Sequence, residues 1–257
     1  MASLSEKYRP RHFAGVVGQA KAVSQVKAVL AQGWGGRSWL LRGPSGCGKS
    51  TIANLIADAG ADPFFVEELD AAKLTPAKLD KIEESMAYKA MSKRPGKAFV
   101  IDECQALRAD GVNYLLVLLE RLPEHVVFVF TTTVVKTGLF GTEDLLFGKG
   151  IDPTPFTSRC TSINLENGAE TRAAMAQRAK RIAEAQKIDG FDDAVYADAV
   201  DQCRGNLRML LSRIESGSFV EDATRRRALR AELAAMPTET KVNAKRRREL
   251  AELLEAA

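Results

Sequence analysis

One short segment constrains this chain more than any other. Residues 43–51 read Gly-Pro-Ser-Gly-Cys-Gly-Lys-Ser-Thr, which fits the G-x-x-x-x-G-K-[ST] phosphate-binding pattern. An apolar run at 39–41 precedes it and a helix-like run follows, so it stands in the strand–loop–helix context that it requires. In such a loop, backbone N–H groups surround phosphate oxygens, and the next helix points the positive end of its dipole at them. The segment therefore predicts a nucleotide triphosphate site rather than a glycine-rich turn.

The chemistry of this loop assigns roles to its members. Lys49 is expected to reach the β- and γ-phosphates, and the Ser50 hydroxyl to hold Mg²⁺. ATP and Mg²⁺ are therefore the expected cofactors. The predicted nucleotide-binding residues of the loop are Gly43, Pro44, Ser45, Gly46, Cys47, Gly48, Lys49, Ser50 and Thr51.

Composition and cysteine spacing narrow the class of protein. A chain of 257 residues with 46% hydrophobic content can form more than one globular domain. It has no apolar run of about 18 residues and no signal-peptide pattern at its start, which predicts a cytoplasmic protein without a membrane span. The four cysteines form no C-x-x-C pair, which favours reduced thiols over a zinc site or disulfides. The net charge of +4 permits nucleic-acid binding but does not argue for it.

Strand-like and helix-like segments alternate between about residues 20 and 160. Such alternation predicts an α/β fold, with a parallel sheet covered by helices on both faces. The predicted strands are 38–41, 64–67, 98–102, 126–131 and 162–165. The predicted helices are 21–31, 49–58, 76–91 and 110–121.

Beyond about residue 168 the strand pattern stops, and three helices are predicted at 170–187, 192–203 and 206–215. The charged remainder has arginine runs at 225–227 and 246–248, in helical segments separated by Pro237. Each run is either a solvated helix face or a contact for a partner or nucleic acid. The expected domains are 1–166, 167–216 and 217–257.

A second motif complements the phosphate loop. Residues 99–103 read Phe-Val-Ile-Asp-Glu, an apolar strand that ends in two acids, which fits the Walker B pattern. Asp102 is expected to hold Mg²⁺, and Glu103 to polarise the attacking water. The alternative is a pair of acids in the first turn of a helix.

Several motifs in the right order resemble the sliding-clamp loader ATPases of the AAA+ superfamily. Residues 4–10 (LSEKYRP) and 16–19 (VVGQ) resemble the opening of these proteins, and residues 118–128 resemble a stretch of the bacterial motor subunits. Over residues 4–216 the resemblance implies a P-loop AAA+ sheet domain, a helical lid at 167–216, and ATP hydrolysis in DNA replication. It also implies contacts to adenine from Tyr8, Arg9, Pro10, Val16 and Val17.

The same resemblance implies three further roles. Thr132, within the run 131–133, matches the sensor 1 threonine, and Arg208 matches the sensor 2 arginine of the lid. Arg159 matches an arginine that reaches the γ-phosphate of a neighbouring subunit, the alternative being a surface salt bridge. The implied partners are other subunits of a ring or spiral, either identical or different, together with DNA and a sliding clamp, but no membrane.

The chain also departs from the family. About forty residues follow the lid, which corresponds to a reduced or missing collar, and the link 134–157 is long enough for a loop or hairpin insertion. An AAA+ regulator or remodeller of a phage or mobile element, which loads no clamp, is therefore the alternative function. A nucleotide-binding subunit without turnover is a third, against which the intact Lys49, Asp102 and Glu103 argue.

DNA contacts are harder to read from the sequence. In clamp loaders, the amino-terminal ends of helices follow the DNA backbone, which suggests phosphate contacts by basic residues on the matching segments. Each candidate can equally be an ordinary exposed basic residue. The candidates are Lys78, Lys89, Arg108 and Lys136.

Overall fold

A computed structural model describes residues 2–133, 146–147, 151–188, 190–235 and 241–256. The chain divides into two compact units, one formed by Arg9–Thr171 and the other by Met1–Tyr8 with Arg172–Ala257. The first is an α/β domain and the second is helical. In the part of the chain that is described, no helix combines the length and the apolar character needed to cross a membrane. The α/β fold with a following helical region, predicted from the sequence, is confirmed.

The α/β unit is built on one five-stranded sheet in which every pair of neighbours is parallel. The strands are β1 Arg37–Arg42, β2 Ala61–Asp70, β3 Gly96–Asp102, β4 Val126–Thr132 and β5 Thr161–Asn164. Their order is β2-β3-β4-β1-β5, so β4 lies between β1 and β3. The carboxyl ends of these three strands meet at one edge, which is where open parallel sheets bind ligands.

The α-helices connect the strands and continue into the second unit. In chain order they are α1 Leu4–Lys7, α2 Ala20–Leu30, α3 Lys49–Asp58, α4 Pro76–Met86, α5 Ala109–Leu119, α6 Thr154–Ser158, α7 Ala169–Ala185, α8 Asp193–Gln202, α9 Leu207–Ser216, α10 Ser218–Ala235 and α11 Lys241–Ala256. Helix α4 ends at Met86, whereas the sequence predicted residue 91. The reason is local, since the chain turns back and the Ala90 N–H donates to the Pro95 carbonyl at 3.0 Å.

Aromatic side chains fill one face of the sheet. The rings of Phe99 and Phe128 stack at 5.0 Å, those of Phe128 and Phe130 at 5.9 Å, and Phe156 meets Phe130 edge-on at 4.8 Å. Helix α3 packs on the other face through Ile52 and Ile56, which are fully buried. Burial on both faces explains why these strands read as continuous apolar runs.

The second unit contains the predicted three-helix stretch as α7, α8 and α9, followed by the pair α10 and α11. Both arginine runs lie on the pair. One guanidinium nitrogen of Arg246 lies 3.4 Å from Glu232, and Arg247 donates to the Leu233 carbonyl at 3.3 Å. Part of the second run therefore joins α11 to α10. The domain boundaries at 166 and 216 stay predictions, and Pro237 lies outside the described residues.

Candidate nucleotide-binding site

The loop between β1 and α3 has the backbone geometry of a phosphate cradle. Gly46 and Gly48 adopt φ angles of 75° and 106°, which L-residues with a side chain rarely reach. A Cβ atom on Gly43 would lie 2.8 Å from the Leu165 carbonyl oxygen, so only glycine fits there. Glycines with positive φ allow a loop of this kind to turn consecutive N–H groups towards a bound anion. The predicted loop therefore fits a triphosphate by shape as well as by sequence.

Lys49 is the first residue of α3, and its side chain is 7% exposed. Its ammonium donates to the carbonyl oxygens of Gly43 and Pro44, at 2.8 and 2.9 Å. The charge is thus held inside the loop, beside the positive end of the helix dipole. Burial raises the pKa of the neighbouring Cys47 thiol, against the opposing effect of Lys49, and keeps this side chain neutral. The loop therefore presents one buried cation and no competing anion of its own.

A buried glutamine that the sequence analysis did not single out supports this loop. The amide nitrogen of Gln19 donates to the carbonyls of Cys47 and Glu166, at 3.3 and 2.8 Å. Its amide oxygen accepts from the Glu166 N–H at 3.1 Å. Gln19 is the last residue of the VVGQ motif, for which the sequence predicted only contacts to adenine. Through Gln19, this motif also joins the phosphate loop to the segment after β5.

The two acids of the second motif stand at the carboxyl end of β3. Asp102 is half-buried as the last residue of the strand, and Glu103 is exposed directly after it. Glu103 has φ 54° and ψ 50°, in the left-handed region. A residue other than glycine in a sparsely populated backbone region costs about 1–3 kcal/mol, and such residues cluster at functional sites. The left-handed turn, which the sequence could not reveal, sets the direction of the Glu103 side chain.

Two of the three consecutive threonines at the end of β4 contact the acids of the second motif. The Thr131 hydroxyl donates to Asp102 Oδ1 at 2.8 Å, and that of Thr133 donates to Glu103 Oε2 at 3.2 Å. The hydroxyl of Thr132 instead donates to Gln105 Oε1 at 2.6 Å. Alternate strand residues point to opposite faces, so Thr131 and not Thr132 shares a face with Asp102. The predicted sensor role of Thr132 stays a prediction, whereas the contacts to both acids come from its neighbours.

The predicted ligand set suits Mg²⁺. A serine hydroxyl at Ser50 and a carboxylate at Asp102 are hard oxygen donors, and Mg²⁺ is commonly held by one or two such groups together with substrate phosphates. Among the described residues, no cluster of three or more His, Cys, Asp or Glu side chains could hold a metal by itself. The site therefore fits an ion that arrives with a nucleotide.

Arg159 is engaged within its own chain. Its guanidinium pairs with the Glu120 carboxylate, and a second nitrogen donates to the Pro155 carbonyl at 2.6 Å. The hydrogen bond and charge of Arg159 lower the pKa of Glu120. The salt bridge raised as the alternative for Arg159 is therefore present, and its action on a neighbouring subunit stays a prediction.

The other predicted nucleotide contacts are divided between the two units. Tyr8 belongs to the helical unit, where its hydroxyl accepts from Gln186 at 2.7 Å. Arg208 is exposed as the second residue of α9 in the same unit. Their contacts with a nucleotide stay predictions. The remaining adenine candidates, all in the α/β unit, are Arg9, Pro10, Val16 and Val17.

The three basic residues proposed for DNA that the structure describes do not form one group. Lys78 lies in the first turn of α4 and already pairs with Glu67 at 2.9 Å. Arg108 directly precedes α5 and is exposed. Both helices begin after strand ends on the nucleotide side of the sheet. Lys89 lies after the carboxyl end of α4, in the segment that leads to the start of β3 at the opposite edge of the sheet. Lys136 lies outside the described residues.

Comparisons with known proteins agree with this geometry. Residues 39–138 match the family model described as "ATPase family associated with various cellular activities (AAA)". The chain is 34% identical over 155 residues to DNA polymerase III subunit gamma of Buchnera aphidicola, covering 51% of this chain and 43% of that protein. It is 28% identical over 232 residues to DNA polymerase III subunit tau/gamma of Haemophilus influenzae, covering 81% of this chain and 31% of that protein.

A relative from Mycobacterium tuberculosis, DNA polymerase III subunit gamma/tau, is 30% identical over 155 residues, covering 51% of this chain and 27% of its own length. The chain thus spans less than half the length of these curated relatives. Among solved structures, a RuvB variant of Thermotoga maritima matches with a TM-score of 0.60 at 18% identity, covering 93% of this chain and 71% of that one. At this identity the match shows the fold alone.

Proposed function

Because the chain carries a P-loop AAA+ ATPase domain, we propose that it hydrolyses ATP as the motor subunit of a clamp-loader-like assembly acting on DNA. The observation that carries the proposal is the grouping at one sheet edge of the phosphate loop, the Asp102–Thr131 pair and Glu103. The similarity to gamma subunits of DNA polymerase III supports a function in replication.

Each group at this edge of the sheet has a separate role in ATP hydrolysis. The loop amides and Lys49 hold the β- and γ-phosphates and stabilise charge on the transferring group. Bound Mg²⁺, held by Ser50 and Asp102, would neutralise further phosphate charge. Glu103 accepts a proton from the water whose oxygen attacks the γ-phosphorus. The bond from that phosphorus to the bridging oxygen breaks, and ADP leaves with the pair of electrons.

We assign Arg159 to the site of a neighbouring subunit. An arginine supplied in trans is worth about 10³–10⁵ in rate where it has been isolated, and it makes hydrolysis depend on assembly. In the single chain its charge is satisfied by Glu120. An arriving γ-phosphate would compete with that carboxylate for the same guanidinium, so the arginine exchanges one anion for another on assembly.

Mixing two inactive variants tests this assignment. Arg159→Ala leaves the subunit's own loop intact, whereas Lys49→Ala inactivates the loop but still presents Arg159. At a mixed interface the Lys49→Ala subunit supplies the arginine to an intact site, so the mixture should recover activity that neither variant has alone. Wild-type activity per subunit should also rise with protein concentration.

The outcomes separate the possible functions. Activity that does not depend on concentration, with no recovery in the mixture, would exclude a shared site. ATPase activity stimulated by primed DNA and further by the sliding clamp supports clamp loading. Stimulation by DNA with no response to the clamp supports the regulator or remodeller.

A further inference from the structure

Gln105 stands at the centre of a hydrogen-bond network around the proposed base. It lies in the 3₁₀ turn Cys104–Ala106, directly after the second motif. Its side-chain nitrogen donates to Glu103 Oε2 and, at 3.1 Å, to the Thr133 hydroxyl. Its side-chain oxygen accepts from Thr132 at 2.6 Å. Because a carboxylate only accepts hydrogen bonds, the Glu103 contact places the amide nitrogen towards Glu103 and leaves the amide oxygen for the Thr132 hydroxyl.

The contacts on Glu103 fall on one oxygen. Gln105 and Thr133 both donate to Oε2, and Thr133 also accepts from Gln105, so the three side chains form a closed triangle. Glu103 is exposed, and a free glutamate at the surface samples several rotamers. The triangle restricts that freedom and occupies Oε2, so Oε1 is the oxygen available to a water.

We propose that Gln105 is a positioning residue for hydrolysis, which holds Glu103 by Oε2 so that Oε1 can take the proton of the attacking water. The inference rests on the proposed ATPase function. In this proposal Gln105 acts through its hydrogen bond to Glu103 and has no direct role in the chemistry. Hydrogen bonds to charged groups are the stronger class, so losing the amide donor should reduce turnover measurably.

Steady-state kinetics on matched variants tests the assignment. Gln105→Met keeps the length of the side chain but removes its donor, and kcat should fall roughly 10-fold with KM for ATP changed less than about 3-fold. Gln105→His keeps a ring N–H and should recover part of kcat. Gln32→Met makes the same replacement at an exposed position and should leave kcat and KM unchanged.

A double variant separates positioning from a general structural role. In the Glu103→Gln background the base is already lost, so adding Gln105→Met should change the residual rate by less than about 2-fold. If the two losses multiply instead, Gln105 does not act through Glu103 and the proposal fails. An unchanged or increased kcat in Gln105→Met also overturns it.

Two further measurements keep the test decisive. Thr133→Val removes the other donor to Oε2 of Glu103 and should also lower kcat. This variant serves as the test if Gln105→Met does not fold. Nucleotide titration should give the same ATP affinity for every variant. A wild-type protein that binds ATP but never hydrolyses it contradicts the proposed function, whereas normal turnover in Gln105→Met contradicts only this inference.

Discussion

The Thr131 hydroxyl donates to Asp102 Oδ1 at 2.8 Å and, at 3.3 Å, accepts from the backbone N–H that follows Asp102 along the chain. That N–H belongs to Glu103, so one hydroxyl orients the carboxylate proposed to hold Mg²⁺ and also secures the left-handed turn that carries the proposed base. Outer contacts of this kind fix the geometry of metal ligands.

Thr131→Val should weaken the response to Mg²⁺. The change keeps the shape of the side chain but leaves Asp102 without this donor, and losing an outer partner typically costs 10–100-fold in metal affinity or activity. ATPase assays across a Mg²⁺ titration should therefore show a half-maximal concentration raised roughly 10-fold or more. Thr131→Ser retains the hydroxyl and serves as the control. If Thr131→Val has the same half-maximal Mg²⁺ concentration as the wild type, Thr131 does not support the metal site.

Glu103→Gln should bind ATP and fail to hydrolyse it. The amide keeps the size of the side chain but cannot accept the proton, and a positioned base contributes about 10²–10⁴-fold. We expect turnover to fall by roughly 10² or more with unchanged ATP affinity in a nucleotide titration. Lys49→Ala is the comparison, because it removes the positive charge proposed to hold the β- and γ-phosphates. This variant should therefore bind ATP more weakly. Near-normal turnover in Glu103→Gln would exclude Glu103 as the base.

Glu120→Gln should make Arg159 easier to recruit by a neighbouring subunit. Because Arg159 lowers the pKa of Glu120, the pair is intact at neutral pH and is lost only as the pH falls through that lowered value. The carboxylate is exposed, so the gain is small, and the protein concentration for half-maximal ATPase activity should fall by no more than about 5-fold. Glu124→Gln, another exposed glutamate nearby, should have no effect. A rise in that concentration would show that the pair supports assembly.

Gly96→Ala should destabilise the α/β unit. A Cβ atom there would lie 2.4 Å from Trp34 Cζ3 and 2.5 Å from the Gly60 carbonyl oxygen. Overpacking of this kind typically costs about 1–3 kcal/mol. Denaturant unfolding followed by tryptophan fluorescence reports on this unit, because both tryptophans, Trp34 and Trp39, belong to it. Gly168→Ala, where a Cβ meets nothing within 4 Å, should leave the midpoint unchanged. Equal midpoints for both variants would contradict the prediction.

Features that depend on neighbouring residues in the chain could be predicted from the sequence. The phosphate loop could be recognised from its own glycines and Lys49, because positive φ angles require glycine at fixed positions of a local pattern. The strands could be located because burial on both faces requires continuous apolar runs. The predicted end of α4, residue 91, was wrong. The helix ends at Met86, and the chain then turns back through a hydrogen bond between Ala90 and Pro95.

Features that join distant segments were decided by the tertiary structure. The register of β3 against β4 and the alternation of side chains bring Thr131, rather than Thr132, to Asp102. The pairing of Arg159 with Glu120 joins residues 39 positions apart. The sequence by itself therefore determined the nucleotide loop, the pair of acids and the class of fold, since these are written in local patterns. Which hydroxyl orients which acid, and which carboxylate holds Arg159, depended on packing that brings remote segments together.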